Sequence, residues 1–274
     1  MRPLRVLDLF AGLEGWSEPF RERDHDVISV DLDPRFDVSL CMDVRDLEPD
    51  DLPWTPDVVL ASPPCEGFSV MTLGRSWTNP HPGTRYPHLR ATTEPKTETA
   101  RLGVELAERT AYLISVLAPR YFVIENPRAK LRKLPVFAEF ERRTVTYCQY
   151  GEPFQKPTDL WGGFPPSLVL RPPCKPLSPC HVSAPAGSRT GIQGDGVRRR
   201  GTDGNGSPDR AGRLRDGKKA VREHFGTNDE QTLSALRAKV PHALALDVCI
   251  AVETDLARGV EAVRRGSLFE EMLG

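Results

Sequence analysis

Cys65 stands directly behind Pro63 and Pro64 in "ASPPCEGFSV", and Glu125 ends an apolar run in "YFVIENP". Two prolines fix φ and stiffen the chain, so the thiol is held at the end of an element rather than within one. A thiol becomes a nucleophile when it is partly exposed and near positive charge. The stretch that follows carries Arg75, Arg85, Arg90 and several histidines that could supply that charge. Cysteine is also a common core residue, and Cys65 taken alone fits that reading too. A carboxyl such as Glu125, placed in an apolar pocket, has a raised pKa and can hand a proton to a ring nitrogen. A capping or salt-bridged acid is the plainer alternative.

A second set of residues suits a nucleotide-like ligand. Gly12 and Gly15 in "DLFAGLEG" allow close approach of the backbone and open a helix whose first N–H groups point outward. The three-glycine dinucleotide fingerprint is absent, which argues against a nicotinamide enzyme. Asp31 ends the next strand-like run and could accept ribose hydroxyls. Asp43 could meet an adenine amino group or be a surface acid. In "CKPLSPCH", Cys174, Cys180 and His181 could hold structural zinc, with Cys148 or His224 as fourth ligand. The spacing is uncommon, and ordinary polar or packed residues are the competing reading.

The elements that must position these residues are visible as apolar runs. "LRVLDLF", "HDVISVDLDP", "DVVLASPPC" and "YFVIENP" read as strands, and "TETARLGVELAERTAYLISVLAP" as a helix ending at Pro119. "RRTVTYCQYG" and "TDLWGG" read as later strands near a sheet edge. "LSALRAKVPHALALDVCIAVETDLARGVEAV" reads as a helix packing back on the core. Alternating strands and helices predict an α/β fold with a doubly wound, mostly parallel sheet. In such sheets ligands sit beyond the carboxyl ends of the strands, where Gly12, Asp31, Cys65 and Glu125 all fall. Residues 71–95 form a long Pro-, Gly-, His- and Arg-rich loop directly after the cysteine, a length that often marks function.

The 274 residues suffice for one large domain with an appendage. We expect a catalytic domain over 1–164 plus 227–274 and a small irregular lobe over 165–226. The net charge of -1 hides an asymmetry. Residues 165–225 hold twelve Lys and Arg against five Asp and Glu, including Arg198, Arg199 and Arg200. That charge suits polyanionic phosphate or a solvated loop. No apolar run approaches the length of a membrane span, and the start of the chain lacks a signal-peptide pattern. We therefore expect a cytoplasmic protein with reduced cysteines and no membrane partner.

In order, these motifs resemble the cytosine-C5 DNA methyltransferase family, most of all its compact bacteriophage forms. "DLFAGLEG" resembles its first motif, "SPPCEGFS" its nucleophile motif, "ENP" its glutamate–asparagine motif, "TYCQYGEPFQKPTDLW" its strand-and-basic motif and "KVPHALA" its last. The resemblance implies a Rossmann-like fold that binds S-adenosyl-L-methionine (SAM), modifies duplex DNA in a restriction-modification setting and works as a monomer. It implies Cys65 as nucleophile and Glu125 as proton donor. Pro64, Ser69, Asn126, Lys156 and Thr158 would support them or touch substrate. Phe10, Ala11, Gly12, Gly15 and Trp16 match the SAM-cradling turn, Asp31 and Leu32 its ribose and adenine contacts, Asp43 and Val44 its adenine edge. Lys156 and Thr158 stand where the family carries two arginines, and Ala238-Lys239 where it carries Gly-Asn. The lobe, standing where the family keeps target recognition, is short and implies a short recognition sequence. A cytosine methyltransferase acting on RNA or free nucleotide, or a non-catalytic DNA-binding protein on this scaffold, are the alternatives.

Overall fold

The computed structural model describes residues 2–68, 73–78, 94–174, 180–181, 192–193, 196–197 and 221–259. Ser69, Arg85, Arg90 and the lobe arginines Arg198, Arg199 and Arg200 lie outside them. Seven strands form one sheet: β1 (Arg5–Leu9), β2 (Asp26–Asp31), β3 (Leu40–Cys41), β4 (Val58–Ala61), β5 (Tyr121–Pro127), β6 (Glu141–Thr146) and β7 (Pro157–Gly163). Their order is β3-β2-β1-β4-β5-β7-β6. All neighbours from β3 to β5 pair parallel, while β7 runs antiparallel to both β5 and β6. The expected mostly parallel, doubly wound sheet is present. Both late strands lie near a sheet edge as expected, β6 as the edge strand and β7 next to it. A short hairpin, β8 (Ile192–Gln193) with β9 (Gly196–Val197), falls within the stretch 165–226.

Among the described residues six α-helices accompany the strands: α1 (Ser17–Glu22), α2 (Leu73–Ser76), α3 (Glu98–Leu117), α4 (221–225), α5 (Glu230–Ala238) and α6 (His242–Ala257). Thr97 caps α3 by accepting from the Ala100 N–H, and Ala118 closes it in a left-handed conformation just before Pro119. Its buried residues recur at three- and four-residue spacing, so one stripe faces the sheet. The C-terminal segment is two helices, not the single one its periodicity predicts. Asp229 caps α5, and Pro241, which lacks an N–H to continue a helix, starts α6.

Alternate residues of each strand enter opposite cores. Val6, Val58, Leu60 and Val123 pack with Phe20 of α1 and Leu244 and Val248 of α6. Leu7, Leu9, Val59 and Ile124 pack with Ala107, Ala111 and Ile114 of α3. The sheet is thus covered on both faces, and β4, "VVLA", is buried along its whole length.

Asp8 breaks the apolar pattern of β1. It is fully buried beneath α1, where Ser17 Oγ donates to its Oδ2 at 2.5 Å. Its Oδ1 has no partner among the described residues. Burial pushes its pKa up to about 7, with the Ser17 bond acting in the opposite direction. Between the unfolded value of 3.8 and about 7 the folded chain holds a proton that the unfolded chain releases. This contribution to stability is full at low pH and declines as pH rises through that window. Urea unfolding from pH 4 to 8 should therefore show the wild type falling relative to Asp8→Asn, by up to about 4 kcal/mol. Parallel profiles would refute the assignment.

Candidate active site

The turn after β1 is tight. Phe10, Gly12 and Glu14 have φ of 58°, 51° and 53°, a left-handed region costly to the two residues that carry a Cβ. Gly12 N–H donates to Asp31 Oδ2 at 2.9 Å, and Asp33 N–H to Asp31 Oδ1 at 2.9 Å. Asp31 thereby binds the turn to the end of β2. A Cβ on Gly12 would meet nothing within 4 Å, so the backbone borders open space. Leu32 beside it is 62% exposed. Phe10 and Ala11 are half-buried there. These residues fit a nucleoside ligand such as SAM. An open floor of backbone, a carboxylate at a strand end and an exposed apolar side chain match a sulfonium, a ribose and an adenine.

Other residues assigned to that cradle lie beneath or beside it. Trp16 is buried, and its indole N–H donates to Ser62 Oγ at 3.1 Å. It therefore joins the glycine turn to the residue just before Pro63. A Cβ on Gly15 would lie 2.7 Å from both N and O of Val240, so this glycine lets the last motif dock on the first. Val44 is a core residue. Asp43 is engaged by the Arg45 guanidinium, which contacts both carboxylate oxygens and holds its pKa down.

The parallel register pairs Ala61 with Ile124 and so brings the exits of β4 and β5 together. There Asn126, fully buried, donates from Nδ2 to the Pro63 carbonyl at 2.8 Å. Pro64 is exposed and Cys65 half-buried. Burial pushes the Cys65 thiol up; Lys156 opposes this, while Glu125 and Glu66 add to it. Among the described residues the cation acting on Cys65 is Lys156, at the entry to β7; Arg85 and Arg90 lie outside them.

Glu125 is buried, but not in the apolar pocket that its sequence context suggests. Tyr147 Oη donates to its Oε1 at 2.9 Å, and Lys156 Nζ lies 3.4 Å from the same atom. The Lys156 ammonium also lies 4.3 Å from the centroid of the Tyr147 ring and 3.4 Å from the Ala238 carbonyl. Thr158 is fully buried, and its hydroxyl donates to the Lys156 carbonyl at 3.3 Å. Of Lys156 and Thr158, only Lys156 pairs with the Glu125 carboxyl, and its charge acts on the Cys65 thiol. Sequence reasoning missed Tyr147, whose position depends on the pairing of β6 with β7.

The segment after Cys65 is anchored at both ends. Phe68 is buried against Gly103 of α3 and stacks on Trp77 at 6.1 Å. Trp77 Nε1 donates to the Gly67 carbonyl at 2.7 Å, and Trp77 bridges to Pro95. Thr78 N–H donates to the Glu94 carbonyl at 2.9 Å. Residues 78 and 94 therefore form a closed stem.

No protein-family model matches the chain. It is 31% identical over 166 residues to a Frog virus 3 (isolate Goorha) protein named "Probable DNA (cytosine-5)-methyltransferase", spanning 58% of this chain and 70% of that one. The structure resembles a methyltransferase of Entamoeba histolytica, EhMeth, with a TM-score of 0.54 at 11% identity, covering 93% of this chain and 99% of that one. It also matches a prophage-encoded protein of E. coli with a TM-score of 0.37 and 19% identity, covering 58% of this chain. The chain spans 46% of that E. coli protein.

The charge arrangement around Cys65 sets its reactivity. Alkylation of Cys65 by iodoacetamide, followed by peptide mass spectrometry, should have its pH midpoint above that of an ordinary cysteine. Lys156→Gln should move that midpoint higher still, because the ammonium favours the thiolate. A midpoint unmoved by Lys156→Gln would show that Lys156 does not act on the thiol.

Proposed function

Because the chain belongs to the cytosine-C5 DNA methyltransferase family, we propose that it methylates C5 of cytosine in duplex DNA. The observation that carries this reading is the Asn126–Pro63 hydrogen bond, which fixes the Cys65 shelf beside Glu125, Tyr147 and Lys156. SAM supplies the methyl group when bound. Gly12, Asp31 and Leu32 would hold it at the carboxyl ends of β1 and β2.

C5 of cytosine is a weak nucleophile, and covalent addition divides the reaction into easier steps. The Cys65 thiolate forms a C–S bond at C6, and the displaced electron pair makes C5 nucleophilic. Glu125 delivers a proton to N3 as this happens. Once C5 has taken the methyl group, with S-adenosylhomocysteine as the leaving group, a base removes the C5 proton, the C–S bond breaks by β-elimination to restore the thiolate, and N3 returns its proton to Glu125. Lys156 donates to the cytosine O2 as a point charge in place of an arginine fork. Tyr147 holds the Glu125 carboxyl in position.

The target base must leave the duplex to reach this site. The long loop after Cys65, residues 71–95, would close over it and exclude water. The basic stretch 165–226 supplies contacts to DNA phosphates and reads a short target. In this proposal the protein acts as a cytoplasmic monomer in a bacteriophage-type DNA-modification system; a viral setting is in keeping with its Frog virus 3 relative.

The test is transfer of labelled methyl from SAM to duplex DNA, tRNA and dCMP, assayed side by side. Duplex DNA should be labelled, and Cys65→Ser should abolish labelling while leaving SAM binding intact. Glu125→Gln should lower kcat by about 10²–10⁴-fold. DNA containing 5-fluorocytosine should trap a covalent complex on Cys65. Labelling of tRNA or dCMP alone would replace the substrate, and full activity of Cys65→Ser would remove the mechanism.

A further inference from the structure

Cys148, Cys174, Cys180 and His181 come together from three parts of the chain, and their candidate ligand atoms all lie within 4.8 Å of one another. Cys148 is in the 3-10 turn Tyr147–Tyr150 that follows β6. Cys174 lies beyond β7, held by its N–H on Thr146 Oγ1 at 2.8 Å. Cys180 and His181 return to the same place. His181 Nδ1 lies 3.4 Å from Cys180 Sγ and 3.8 Å from Cys174 Sγ. A tetrahedral zinc with bonds of about 2.3 Å to sulfur and 2.0 Å to nitrogen requires ligand-to-ligand edges of about 3.5–3.8 Å.

The surroundings treat these sulfurs as acceptors. Gln155 Nε2 donates to Cys174 Sγ at 2.8 Å, and Gln149 Nε2 to Cys180 Sγ at 3.2 Å. Amide donors aimed at sulfur stabilise thiolates and orient ligands around a metal. Three soft thiolates and one imidazole select zinc over magnesium or calcium. His224, the other residue the sequence offered as fourth ligand, packs on Phe225 instead. A second group, His25, Cys249 and Glu253, differs because Arg23 pairs bidentately with its carboxylate.

We propose that Cys148, Cys174, Cys180 and His181 bind one structural zinc ion, which clamps the base of the lobe onto the end of β6. The clamp has a place in the site already described. Cys148 directly follows Tyr147, and Gln155 directly precedes Lys156. The metal therefore braces both groups that touch Glu125.

Metal analysis of the purified full-length chain by mass spectrometry tests this, and it reads no activity, so it stands apart from the methyl-transfer assignment. About one zinc per chain is expected, retained in Cys41→Ser and Cys65→Ser and reduced at least tenfold in Cys174→Ser and Cys180→Ser. Should those last two variants fail to fold, the cobalt-substituted wild type must show intense tetrahedral d–d bands and sulfur-to-metal charge transfer. A metal-free chain with all three of these thiols alkylatable, a disulfide among these cysteines, a different stoichiometric metal, or zinc that survives Cys174→Ser would each overturn the proposal.

Discussion

The arrangement depends on one hydrogen bond, from the buried Asn126 amide to the Pro63 carbonyl. Pro63 and Pro64 have no N–H groups, so the parallel ladder between β4 and β5 cannot continue past Ala61. Asn126 bridges the gap from the other strand, its side-chain amide donating to the Pro63 carbonyl, and keeps the two strand exits together. Since Glu125 is its neighbour on β5, fixing Asn126 also fixes the carboxyl relative to the thiol. The arrangement has a cost: Asn126 Oδ1 is buried without a partner among the described residues, typically worth about 1–3 kcal/mol. Position has been favoured over stability at this point.

The reversed strand β7 completes what that bond begins. Running antiparallel between β5 and β6, it starts at the edge where the parallel strands end. Its entry therefore carries Lys156 to the same place as the exit of β6, which carries Tyr147. Four separate chain segments converge on one carboxyl and one thiol, and two of them owe their direction to β7. The Lys156 contact with the Ala238 carbonyl extends the network to the end of α5. The Gly15–Val240 contact does the same for the cofactor-type turn.

Much of this was legible in the residues. The buried strands β1, β4 and β5 are continuous apolar runs, and Gly12, Asp31, Cys65 and Glu125 fall where such strands stop. What could not be read depends on pairing register. Tyr147 is an ordinary strand-end aromatic until β6 is set against β7, and Lys156, singled out by its motif, gains its contact with Glu125 only through that pairing. The break between α5 and α6 was hidden because apolar periodicity continues through Lys239 and Pro241. Asp8 reads as an outward-facing polar residue, yet α1 covers it. The Cys148 cluster follows no common ligand spacing, because its members meet only through the fold.

The packing of α6 on α1 has a consequence for how the protein is made. Lys239 pairs with Glu18, His242 with Glu22, and Glu253 with Arg23 and His25. These partners are separated by more than 200 residues. At typical synthesis speeds of about 5–20 residues per second, a ribosome delivers α6 roughly 10–40 s after α1. Until then the apolar face of α1 lacks its cover, and nothing holds Val240 against Gly15. A nascent or truncated chain that already carries Cys65 and Glu125 would still lack this final closure. Closure of the turn after β1 is thereby tied to a helix made more than 200 residues after it.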